Sequence, residues 1–438
     1  MRLKTLAALA AAALTLPLLS GCGDDNAQKG YVRIINATSE YTSLDLYTQA
    51  SDGSNDLVVS GTAAGKASSY TDIDKGSYTF NIKSGSGASN AATTTGTISK
   101  TDHYSIITYL TGGVAKAQFL SDEDTAPASG NAKLRVFNAA SSEAASVDVY
   151  LTTNACNALT VTDTAFAAAV TGLQSGYSPV TASSSGNAWN VCVFPAGDKS
   201  TLLLDIPSLT LKDQEIATLI LTHTTGGVLL NGAVLDQQGA MTAYTSAIAR
   251  VRVAADPTAG LTTVDLNNSE ITANAAAQSI SSYVTIPSTT TALTAAVTID
   301  GVTTNVTTLP AAAAGNDYTL LITGTSSNPT ATLISDDNSV STSTTQTVKA
   351  RVINGLNGGS GTVSATIDNK KVGTAAFGSA STPYVTIPAT TGTSTVNASG
   401  VTPVPTPLTQ QSFSANGVYT VFIWGNATAP QLTVQQDR

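Results

Sequence analysis

The sequence predicts an all-β chain of four tandem immunoglobulin-like β-sandwich repeats behind a lipoprotein signal peptide. Short runs alternate apolar and polar residues with period two, Thr and Val are abundant, and Gly or Ser turns separate the runs. One strand and its following turn also recur four times. The copies open Val32-Arg33-Ile34-Ile35-Asn36-Ala37, Leu134-Arg135-Val136-Phe137-Asn138-Ala139, Val251-Arg252-Val253-Ala254-Ala255 and Ala350-Arg351-Val352-Ile353-Asn354-Gly355. Repetition at this spacing means copies of a domain. Each copy has about a hundred residues, room for roughly seven short strands, which is the scale of an immunoglobulin-like sandwich.

In chain order, Arg2 and Lys4 form a basic start, and Leu6 to Leu19 is an apolar run too short to span a bilayer but suited to a signal peptide. It ends in Leu19-Ser20-Gly21-Cys22, the pattern of a bacterial lipobox. Residues 1–21 are expected to be removed and Cys22 to carry diacylglycerol and acyl chains, which anchor the chain to a membrane without spanning it. Gly23, where an aspartate favours inner-membrane retention, implies the outer membrane, with the leaflet open. Residues 22–30 form a lipidated, polar spacer. Repeats are expected at 31–124, 132–238, 247–338 and 348–438, with the junctions Ser121 to Asn131, Asp236 to Ser246 and Ser335 to Thr347 as linkers. Domains of this size fold alone, so the expected arrangement is a monomeric array of beads on a string.

Within each copy the landmarks run in the same order. A second alternating strand follows the first: Leu44-Asp45-Leu46-Tyr47, Val147-Asp148-Val149-Tyr150, Val264-Asp265-Leu266-Asn267, and in the fourth copy Val363-Ser364-Ala365-Thr366. An aromatic comes next, at Tyr70, Tyr177, Tyr283 and Tyr384. Late strands such as Tyr104-Ser105-Ile106-Ile107 and Tyr419-Thr420-Val421-Phe422 close each copy. Together these landmarks resemble the family catalogued as domain of unknown function 4397. The resemblance implies an exported β-sandwich module, often in tandem, with no assigned activity and no catalytic residues to carry over.

Charge narrows the partners. Removing residues 1–21 takes the 20 Lys and Arg down to 18 and leaves all 29 Asp and Glu. Such an acidic surface repels nucleic acid and anionic headgroups. Cys156 and Cys192 remain, and an even pair in an exported chain reads as a disulfide. It closes a loop worth roughly 3 to 4 kcal/mol on the chain-entropy model.

Candidate chemistry is sparse. Arg33 with Asp45, Arg135 with Asp148 and Arg252 with Asp265 alternate with apolar neighbours, which predicts a cross-strand ion pair on the outer sheet face of each copy. The acidic junctions holding Asp122 and Asp124, and Asp336 and Asp337, are weak calcium candidates, because one short run supplies only part of a shell of six to eight oxygens. Gly61-Thr62-Ala63-Ala64-Gly65-Lys66-Ala67 is one residue short of a phosphate loop and has Ala67 where a hydroxyl belongs. His103 and His223 occupy different repeat positions, and neither the zinc-hydrolase nor the serine-hydrolase motif occurs. Trp189 and Trp424 are expected to pack or to sit at a sheet edge. The expected function is therefore non-enzymatic: a display of modules for envelope or cell-surface interaction, without cofactor. Its partner would be an envelope protein or a glycan. A periplasmic spacer or accessory subunit is the alternative, and a carbohydrate-binding module ranks below it.

Overall fold

The computed structural model describes residues 28–438 apart from 50–52, 86, 143, 175, 184–187, 225, 341–345 and 360. The signal peptide and Cys22 lie outside the described residues. Strand dominates among the described residues, with a short 3-10 turn at Cys156–Ala158.

Domain 1 shows how a copy folds. Its strands are β1 (Lys29–Asn36), β2 (Ser43–Gln49), β3 (Asn55–Ala63), β4 (Lys66–Ala67), β5 (Thr71–Asp74), β6 (Gly76–Lys83), β7 (Asn90–Ile98), β8 (His103–Thr111) and β9 (Val114–Ser121). One sheet has the order β4-β1-β8-β9, with β5 also on β1, and the other has β3-β2-β6-β7. The chain therefore changes sheets between β1 and β2, and β1 runs parallel to β8 with Arg33 opposite Ser105. Alternation along the strands sends Val32, Ile34, Leu44, Leu46, Phe80 and Ile106 into one core between the sheets. Burying each large apolar side chain contributes about 1.5–3 kcal/mol.

The other domains repeat this plan. Their first strands, Asn131–Asn138, Ile248–Pro257 and Thr347–Asn357, run parallel to Ile216–His223, Asp317–Thr325 and Val418–Asn426. The tandem sandwich expectation holds, with sheets of at least four strands in each domain where the immunoglobulin constant order sets four against three. One expected linker carries structure instead: Met241–Tyr244, inside the junction Asp236 to Ser246, is a strand paired with Leu230–Asp236 of domain 2.

The beads-on-a-string arrangement does not hold, because the sheets that contain the first strands are apolar on both faces. The outer face of domain 1, with Ile35, Ile107 and Leu120, packs on Phe137, Ile220 and Leu235 of domain 2. Domains 3 and 4 join the same way, through Ala254, Leu321 and Ile334 against Ile353, Phe422 and Trp424. Each pair thus has an apolar seam between two sheets, as a sandwich of sandwiches.

The two pairs also touch. The Asn338 N–H donates to the Gly226 carbonyl at 2.9 Å. Gly227 has φ +94° and stands so close to Asn338 and Ser339 that a Cβ would come within 1.9 Å of the Ser339 nitrogen. Only glycine satisfies both the backbone angle and that approach.

Candidate functional site

The residues that recur from copy to copy meet in the two seams. Each copy's arginine stands on the outer face of its first strand, as alternation requires, but the neighbouring domain covers that face. Arg33, Arg135, Arg252 and Arg351 are only 1%, 8%, 2% and 1% exposed. A guanidinium so placed needs partners, since an uncompensated buried charge is costly.

The recurrent tyrosine supplies the first one. Arg33 lies over the Tyr70 ring at 4.5 Å, Arg135 over Tyr177 at 4.3 Å, Arg252 over Tyr283 at 4.9 Å and Arg351 over Tyr384 at 4.8 Å. Such stacking contributes more when desolvated than at a surface. A hydroxyl on the parallel neighbour strand is the second. Nε of each arginine donates to Ser105, Thr218, Thr319 or Thr420 at 2.7–3.1 Å.

The carboxylates differ between the seams. In the domain 3–4 seam they are exchanged: Arg252 of domain 3 meets Asp437 at 2.6 Å, and Arg351 of domain 4 bonds Asp336 of domain 3. Tyr283 and Thr319 donate to Asp336 at 2.7 Å each. Burial alone would raise the Asp336 carboxyl, yet Arg351 and Arg252 more than reverse it and hold it below its ordinary range. Burial raises Asp437, against the opposing pull of Arg252.

In the domain 1–2 seam, Arg33 donates to the backbone carbonyls of Gly239 and Asp236 and stands 3.7 Å from Asp122 of its own domain. Arg135 makes no ion pair with any described residue, and its Nη2 has no hydrogen-bond partner among them.

The predicted pairs of Arg33 with Asp45, Arg135 with Asp148 and Arg252 with Asp265 therefore do not form. Arginine and aspartate lie in different sheets, so their outer faces look away from each other across the sandwich. Asp45 instead accepts from the Gly61 N–H at 2.7 Å, and Asp148 from Ala169 and Gly197 at 2.8 and 2.9 Å. Asp265 sits opposite Glu270 and Ala296 in its own sheet.

The calcium candidates are likewise engaged. Asp122 accepts from Tyr70 and Ser105, Asp124 pairs with Lys133 at 3.1 Å, Asp336 is in the seam, and Asp337 pairs with Lys349 at 2.6 Å. No group of three or more potential metal-ligating side chains occurs among the described residues.

Cys156 and Cys192 form the expected disulfide, which ties the 3-10 turn to the strand Trp189–Pro195. Around it Tyr150 and Phe194 make a small second core on the outer face of domain 2.

His223 Nε2 lies 2.5 Å from Ser39 Oγ and 3.4 Å from Glu40 Oε2, bridging domains 2 and 1. Serine and carboxylate meet the same ring nitrogen, whereas a nucleophile relay sets them on opposite ones. Burial would raise Glu40, but its hydrogen bond and charge attraction to His223 bring it below the ordinary value.

Sequence reasoning thus missed that the arginine and tyrosine of every copy, joined in domains 1, 3 and 4 by a late aspartate, meet in the seams. Two signals could have shown it. The tyrosines recur in step with the arginines, and within these strands Ile216–Leu221 and Val418–Trp424 are apolar or aromatic but for a single threonine each, the mark of strands covered on both faces.

Residues 30–150 match the family model described as "Domain of unknown function (DUF4397)", which takes in domain 1 and the first two strands of domain 2. No curated protein matches the chain. Among solved structures it is similar to a candidate cell adhesion protein from Bacteroides uniformis, with 11% identity over 48% of this chain and 99% of that one and a TM-score of 0.20. It is also similar to the pneumococcal multi-modular glycogen-degrading virulence factor SpuA, with 10% identity, 65% and 38% coverage and a TM-score of 0.17. The Bacillus anthracis TIE protein gives 11%, 92% and 68%, with 0.14. The chain spans 38% of the SpuA chain. At these identities and scores the likenesses say nothing of what this chain does.

Proposed function

We propose that the protein is a non-enzymatic lipoprotein, held at the outer membrane through acyl chains on Cys22, that presents its sandwiches for envelope or cell-surface interaction. One observation carries this reading: the charged and aromatic residues that every copy repeats are used to lock copies together. Repetition here builds a body, and recognition falls to the surfaces that the seams leave outside. Those surfaces are the second sheets and the loops, where rows such as Thr79 opposite Thr95 and Thr298 opposite Thr303 face outward. The disulfide supports an exported, oxidising setting.

The test is protease accessibility on intact and permeabilised cells. An epitope inserted after Val161, a loop residue 92% exposed, reports cleavage without touching a seam. Loss of the epitope from intact cells supports cell-surface display. Protection until permeabilisation replaces it with a periplasmic spacer or accessory subunit, and release of the chain without membrane extraction removes the lipid anchor from the account.

A further inference from the structure

The two seams differ at one corner, where the chain supplies its own template for a ligand. In the domain 3–4 seam, Phe422 and Trp424 are fully buried, with stacked rings 4.8 Å apart. Trp424 packs with Ala254, Leu321 and Ile334 of domain 3, and its Nε1–H donates to Thr433 Oγ1 at 3.1 Å. Register identifies the matching residues in domain 2. Arg351 lies opposite Thr420 and Arg135 opposite Thr218, so Phe422 corresponds to Ile220 and Trp424 to Thr222. The surroundings agree: Gly425 donates to Asp256, and their counterparts His223 and Ala37 meet at the same corner of the domain 1–2 seam.

With threonine where the other seam has tryptophan, that corner stays open as a cleft of about 320 Å³. Ala37, Ile220 and Ala233 line it with small or aliphatic side chains, and Met241 and Tyr244 line it as well. The extra strand Met241–Tyr244 supplies those last two residues. A cleft of this size at a domain interface, apolar with a few polar groups, is the usual form of a small-molecule site. A thioether beside the cleft favours an aromatic ring. The position of Thr433 is held by Ala233 in domain 2, so the polar groups at this corner are instead Thr222 and Asn231, which face each other across paired strands, Asn231 Oδ1 already accepting from the Ser246 N–H at 3.1 Å.

We propose that this cleft binds a free, planar aromatic molecule of indole size, seated where Trp424 sits in the other seam. The site lies at the domain 1–2 seam, with Ala314 of domain 3 at its edge, and does not depend on where the protein is displayed.

The experiment titrates indole into the full chain by calorimetry, beside two variants. Wild type should take up one indole saturably. Thr222→Trp, which copies the other seam, should weaken binding at least tenfold while keeping the melting temperature. Ala243→Phe, on the cleft rim, should weaken it by a similar factor and keeps the test open if the first variant does not fold. Absence of saturable binding to wild type overturns the proposal, and so does undiminished binding to a folded Thr222→Trp or Ala243→Phe variant.

Discussion

The domain 1–2 and domain 3–4 seams set equivalent sheets against each other and each bury two equivalent arginines, yet they are closed by different chemistry. The domain 3–4 seam trades carboxylates in both directions and plugs its corner with Trp424. The domain 1–2 seam holds Arg33 mainly by backbone carbonyls, leaves Arg135 without a carboxylate among the described residues, and keeps an open cleft. The core of a repeat tolerates little change in volume or polarity, whereas the outer face can drift as long as its neighbour drifts with it. A seam between copies is thus where one domain plan acquires different properties.

The sharpest way to break this comparison is to remove one arginine from each seam. Arg351→Met leaves Asp336 without its closest cation and should cost about 3–5 kcal/mol. Arg135→Met deletes a cation that has no carboxylate and should cost under about 1 kcal/mol. Urea unfolding of both variants decides it, and equal losses would mean that the seams are alike. Trp424→Thr turns the closed corner into a copy of the open one and should cost about 3–5 kcal/mol, as large aromatic truncations do, read by the same method.

The disulfide sets the pairs apart in another way. Replacing both Cys156 and Cys192 by alanine should remove roughly 3 to 4 kcal/mol, and hydrogen exchange should place the loss in domain 2 with domains 3 and 4 unchanged. Gly227→Ala acts between the pairs. Its positive φ and the close Ser339 backbone make any Cβ intolerable, so more than about 1 kcal/mol should be lost. Small-angle scattering should show a larger radius with both seams intact.

A last expected effect is a pH slope. Burial, helped by the hydrogen bond to Asp236, pushes Glu215 of domain 2 up to about 7 from its usual 4.5. A raised acid binds its proton more tightly in the folded state, so its stabilisation is full below about pH 4.5 and is lost as pH rises through about 7. Glu215→Gln should flatten the decline of domain 2 stability over that range while the rest of the chain keeps its own profile.

Much of the fold was legible because period-two alternation tells which face of a strand a side chain takes. That rule correctly turned Arg33 away from the core of its own sandwich. What it cannot report is whether another domain covers that face, so a buried clamp was read as a surface ion pair. Asp45 was drawn in as a partner because it follows Arg33 in sequence, but the chain changes sheets between them. Cys156 and Cys192 were readable because only two cysteines follow Cys22. The cleft was not, since Thr222 becomes notable only when its seam is laid on the one that holds Trp424.

The exchange of carboxylates also orders events in time. A chain that enters its compartment N-terminus first presents Arg252 long before Asp437 arrives. Until then domain 3 shows a bare apolar face on which Arg252 is answered only by Asp336 of its own domain, 4.0 Å away. Apolar surface exposed in this way on an unfinished chain is prone to aggregation. Truncation before Asp437 is therefore expected to leave the Arg252 side of the domain 3–4 seam without its second carboxylate.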